Sequence, residues 1–224
     1  MIFRYDDFCE ALLDAGFSMA NGNDEGIFSL IEHGWNDVPF DSPLRWHSED
    51  PVTDPWEWRM RVLEERRDIA YAKFFFRKAG FITINWYPHF LAARRGGKTF
   101  EEDYAAGTIS HAAKRIYDVV AHSGGLAIEE IKQHAGFSRG DKSKFDTALT
   151  QLQMRMYITM MGRRQISGWP STVFCTTEDF FRGTDVFAQA DKISKDAAIA
   201  AITAQVRKLN PAADDKKINK FIIG

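Results

Sequence analysis

Apolar positions recur at helical spacing from the start of the chain. Phe8, Ala11, Leu12 and Ala15 precede Gly16, which predicts an amphipathic helix over roughly residues 4–15 with a glycine stop. The pattern then breaks. Between Gly22 and Pro55 the chain holds Gly26, Gly34, Pro39, Pro43 and Pro51 among acids, and only Ile27–Glu32 keeps a helical look. Trp35 and Trp46 in this stretch predict aromatic pins buried against a core.

Regular structure resumes at "TDPWEWRMRVLEERR", where Asp54 suits a helix cap, Pro55 its first position and Glu57 the reciprocal acid of a capping box. The helix is expected to reach about Asp68, with Trp58, Val62 and Ile69 inward. "AYAKFFFRKAGFITIN" gives two aromatic and β-branched runs, a β-hairpin in which Gly80 supplies any positive φ. Asn85 is placed to cap a helix through "WYPHFLAARR", and Gly96–Gly97 marks a boundary between halves.

Beyond it, Ile109, Ala112, Ala113, Ile116, Val119 and Val120 form one apolar stripe ending at Gly124. A shorter helix follows, with Ala127 where a Ser or Thr cap is usual, then a third through Phe145, Leu149, Leu152 and Met156. "YITMMG" and "STVFCTT" read as strands joined by a loop "RRQISGWP", and "TTEDFFRG" starts a short helix. Ala197 to Leu209 form an amphipathic helix before Pro211, and "DDKKINKFIIG" adds a last basic turn. The whole predicts an α+β, mainly helical fold: a helix and hairpin module over 1–97, a winged helix-turn-helix over 98–185 and a helical extension over 186–224.

Composition narrows the reading. With 224 residues, 45% of them hydrophobic, the chain has ample core material. Its formal charge of -2 leaves no global field to draw it onto phosphate, so any nucleic-acid contact has to be local. Such a concentration exists: from Lys132 to Arg164 there are seven cations against Asp141 and Asp146. Cys9 and Cys175 fit no ligand spacing, the acidic N-terminus does not resemble a signal peptide, and no apolar run approaches ~18 residues. A soluble cytoplasmic protein without membrane contact is expected; the oligomeric state is not encoded in any motif.

In a winged helix the third helix enters the major groove and wing cations meet phosphate. The residues expected at duplex DNA are therefore Arg139, Lys142, Ser143, Lys144, Thr147 and Gln151, with Arg163 and Arg164 on the wing. A partner-binding wing is the competing reading of the same charges. Alternation along the hairpin places Tyr71, Lys73, Phe75 and Arg77 on one face, a possible stacking surface for bases. The six histidines are scattered and "ARRGGKT" lacks the spacing of a phosphate cradle, so no metal and no cofactor is predicted.

The segment "AKFFFRKAGFITINWYPHFLAARR", Ala72 to Arg95, followed by a winged helix, resembles the AlkZ-type winged-helix DNA glycosylases and the bacterial proteins called AlkZ-related. "DPWEWRMRVLEERR" and "GWPSTVF" strengthen the likeness to the latter. The resemblance implies work on alkylated or crosslinked bases. Those glycosylases position water with a Gln-apolar-Gln motif on a hairpin. Here Gln151, Leu152 and Gln153 lie inside a helix, so that role is not carried over. The sequence thus reads as a winged-helix nucleic-acid-binding protein without readable catalytic residues. A glycosylase-like base-excision enzyme and a protein-interaction scaffold stand as alternatives.

Overall fold

A computed structural model describes residues 2, 4–166 and 168–224, leaving out the side chain of Trp169. The fold is α+β, with two antiparallel three-stranded sheets among helices. The first layer opens with α1 (Tyr5–Ala15) and β1 (Phe17–Met19). Gly16 joins them at φ 90°, and a side chain there would strike the indole of Trp86, which explains the glycine. After the irregular segment come α2 (Pro55–Glu65), β2 (Ile69–Phe75), β3 (Lys78–Thr83) and α3 (Tyr87–Arg94). β3 lies centrally, between β1 and β2.

The second layer contains α4 (Phe100–Ala105), α5 (His111–Ala121), β4 (Leu126–Ala127), α6 (Ile128–His134), α7 (Lys142–Met154), β5 (Ile158–Ile166) and β6 (Trp169–Thr176). β6 is the middle strand, between β4 and β5. The apolar stripes do what their spacing requires: Ile116, Leu152, Tyr157 and Phe174 meet in one buried cluster. Then α8 (Thr177–Phe180), α9 (Val186–Ala190), α10 (Lys195–Leu209) and α11 (Asp215–Ile223) carry the chain back to the first layer. Ile202 and Phe221 share a core with Phe8, Trp58 and Phe90.

Several local expectations are corrected. Ile27–Glu32 is not helical. Its backbone runs beside β1, Met19 N–H donating to Phe28 O at 3.1 Å and Gly22 N–H to Ile31 O at 2.8 Å, so neighbouring backbone takes the bonds a helix would use. Trp35 is 60% exposed, not a buried pin. Trp46, in contrast, is half-buried and packs against the core that holds Ile27 and Ile31, and polar groups add further anchors. Buried Asp54 accepts from Ser48, Glu49 and Trp56 N–H, and Asn210 donates to Gly26 and Ile27 carbonyls.

α2 stops at Glu65, and Glu57 closes no capping box because Arg163 takes its carboxylate. Trp86, not Asn85, precedes α3. The connection between β5 and β6 is shorter than expected, since Arg163–Ile166 and Trp169–Pro170 belong to the strands; Ser167 of that stretch lies outside the described residues. Among the described residues no helix is long and apolar enough to cross a membrane.

Candidate nucleic-acid interface

α7 follows a single 3-10 turn over Arg139–Asp141, closed by Ser138 donating to the Asp141 carboxylate from both its N–H and its hydroxyl. Those bonds hold the carboxyl below its usual range. The helix buries Phe145, Ala148, Leu149 and Leu152, so Lys142, Ser143, Lys144 and Thr147 point out. Its C-terminal half is clamped against β2. Gln153, 1% exposed, accepts from Lys73 N–H at 3.0 Å and donates to Leu149 O at 3.1 Å.

The β2–β3 turn faces the other half of α7. Phe75 pairs with Lys78, leaving a two-residue turn of Phe76 and Arg77 at φ 51° and 64°. Sequence reasoning gave Gly80 that role. Gly80 instead sits within β3, where a side chain would come within 2.5 Å of the Phe75 ring and 2.8 Å of Ser18 O. The positive φ angles therefore fall on two bulky residues, each at a cost of about 1 kcal/mol or more. Their consequence is to carry Arg77 over α7.

Between turn and helix runs a groove, two cavities of about 380 Å³ and 590 Å³ that share Arg77, Thr147 and Thr150. Lys73, Lys142, Ser143 and Asp146 line the smaller one. The larger is lined by Ser110, Gln151, Met154 and Arg155, together with Ile223 and Gly224. Among the described residues, Lys73, Arg77 and Lys142 form no ion pair, so three cations face one acid across open space. Arg155 approaches Asp103, a buried carboxylate that accepts from Tyr157 Oη at 2.8 Å.

The structure thus brings together Lys142, Ser143, Thr147, Gln151, Lys73 and Arg77, from elements about seventy residues apart in sequence. Gln151 is already engaged: its Oε1 accepts from Ser110 Oγ at 2.9 Å and its Nε2 donates to Thr108 O at 3.1 Å. Arg139 and Lys144 are exposed and do not line the groove. Neither do Arg163 and Arg164, the arginines expected on a wing. Arg163 donates to Glu57 and Glu64 of α2, and Arg164 to Glu130 of α6.

The expected stacking face does not form. Tyr71 is 5% exposed and Phe75 fully buried, the latter stacked on Phe221 at 4.0 Å between ring centres. Strand alternation failed as a guide because β2 is covered on both faces and carries a bulge between Ala72 and Phe75. Sequence reasoning missed Ser110 and Thr150, whose roles arise only where α5 and β2 flank α7. Among the described residues no three His, Cys, Asp or Glu gather as metal ligands.

A model of the family described as AlkZ related matches residues 2–223. No curated protein and no solved structure matches the chain.

Proposed function

The chain belongs to the AlkZ-related family, and from that premise we propose that it is a DNA-binding protein acting on damaged DNA, with the groove between α7 and the β2–β3 turn as its contact surface. The order helix, strand, helix, helix, strand, strand from α5 to β6 supports a winged-helix reading, in which α7 would be the third helix. The observation that carries the reading is the convergence of Lys73, Arg77 and Lys142, unpaired, on one open groove. A phosphate backbone supplies the counter-charge they lack. Lys142 and Ser143 stand at the N-terminal turn of α7, where backbone N–H groups also favour an anion. Arg163 and Arg164 join only by exchanging a carboxylate for a phosphate.

Base excision is the second reading. It is favoured by the 590 Å³ end of the groove, where Met154 and Ile223 offer an apolar wall beside Arg155, room enough for an unstacked base.

Fluorescence anisotropy with duplex oligonucleotides, with and without an alkylated base, tests both. Affinity is expected to fall with salt, and Lys73→Ala, Arg77→Ala and Lys142→Ala each to reduce the slope of log K against log salt by about one. Unchanged slopes in all three variants remove the groove from the argument. Alkali-dependent strand scission at the alkylated position establishes the second reading; its absence under saturating binding leaves a non-catalytic protein.

A further inference from the structure

The acidic residues of the chain are segregated. Residues 5–54 hold twelve Asp and Glu against one Lys or Arg, Arg45, a net charge of -11; the remainder, with 28 basic and 19 acidic residues, carries +9. Some of these acids serve the fold: Asp54 caps α2, and Asp24 and Glu25 hold Lys78. Others do not. Glu32 and Asp41 are exposed and form no ion pair among the described residues.

These two lie on the rim of a groove of about 800 Å³ between α1 and the irregular segment. Its floor is apolar, built by Ala11, Leu30, Val38 and Leu44. Asp14, one helical turn beyond Ala11, extends the acidic rim along α1. Phe40, between two residues of the groove wall, is entirely exposed, and Trp35 on the same segment is 60% exposed. Large apolar side chains left in water beside an apolar groove mark a surface that a partner covers.

We propose that this groove docks a basic, amphipathic segment of a partner protein. Aliphatic residues of that segment fill the floor over Leu30, Val38 and Leu44, and Lys or Arg heads meet Glu32, Asp41 and Asp14. Charge complementarity selects this occupant: the -11 segment repels a polynucleotide and accelerates encounter with a cationic chain. The surface is separate from the groove at α7 and does not depend on what binds there.

The test uses the full chain and fluorescent synthetic peptides of three kinds: alternating Lys and Leu, oligolysine of equal charge, and alternating Glu and Leu. The Lys-Leu peptide is expected to bind about tenfold tighter than oligolysine, and to weaken about tenfold against the doubly reversed Glu32→Lys, Asp41→Lys variant. The Glu-Leu peptide should not bind. Circular dichroism melts control for folding, and the neutral pair Glu32→Gln, Asp41→Asn provides a milder variant should the reversed one unfold. Equal affinity for Lys-Leu and oligolysine, or undiminished binding by both folded variants, overturns the proposal. So does a dimer in sedimentation that the same substitutions split, because a second copy would then be the occupant. DNA binding by the variants should be no weaker than the parent's, which separates failure here from failure of the DNA-binding reading.

Discussion

The Arg94 guanidinium donates from Nη1 to the Met154 carbonyl at 2.8 Å, joining α3 to the C-terminal end of α7. The same nitrogen reaches Phe74 O in β2, while Nε and Nη2 donate to Ile222 O and Phe221 O in the last turn of α11. No carboxylate pairs with it among the described residues, although it is only 6% exposed. Burial pushes this guanidinium down to about 9. The opposing contribution comes from Tyr87, while three of the guanidinium's four acceptors are carbonyls at helix C-termini, where partial negative charge gathers.

Removing the side chain therefore leaves four carbonyls facing a void. Arg94→Ala is expected to lower unfolding stability by about 3–5 kcal/mol, and Arg94→Lys to recover little, since one ammonium cannot span carbonyls on three elements. Denaturant titration measures both. A wild-type midpoint for either variant would show that the four bonds are replaceable.

Arg77 is held at φ 64° in the β2–β3 turn, a conformation glycine adopts without strain. Arg77→Gly should raise stability by about 0.5–1 kcal/mol while weakening DNA binding, because strain is relieved and a groove cation is lost together. Thermal melts and a salt titration are read on the same sample. Loss of stability would mean that the Arg77 side chain contributes more to the fold than its backbone costs.

Arg163 and Arg164 give a contrasting expectation. The pairs of Arg163 with Glu57 and Glu64 are partly exposed and worth less than about 1 kcal/mol each. Arg163→Ala with Arg164→Ala should thus lower Tm slightly and flatten the salt slope of DNA affinity less than loss of Lys73, Arg77 and Lys142 does. A larger flattening would mean that these arginines release their carboxylates and meet phosphate.

His89 is half-buried, its ring tilted against Trp86 at 5.2 Å between centres, with Nδ1 lacking a partner. Burial holds its pKa below the ordinary 6.5, against a smaller opposing contribution from the Asn85 backbone. The unfolded chain then binds the proton more readily, so stability is fully present above about 6.5 and is lost as pH falls from there through the lowered folded value. Tm measured from neutral pH downward should decline more steeply for the parent than for His89→Gln. Parallel curves would assign the decline to other groups.

Much of the fold was legible in the sequence because it depends on neighbours within a turn or two. The stripe through Ala112, Ala113, Ile116 and Val120 fixes α5, and Phe145, Leu149 and Leu152 fix α7, since burial of one face decides both. The Asp54-Pro55 start of α2 and the β2–β3 hairpin are equally local. Family membership was also readable from residue strings such as those around Ala72–Arg95.

What the chain could not reveal by itself is which side chains face each other across long separations. Tyr71 and Phe75 lie buried because α7 and α11 cover β2, and the Arg163 charge is matched by acids about a hundred residues earlier. Lys73 and Arg77 meet Lys142 only because Gln153 and Arg94 dock α7 onto the hairpin. Periodicity determines which face of an element turns inward; only the packed structure decides what stands opposite it, and therefore which charges remain unpaired.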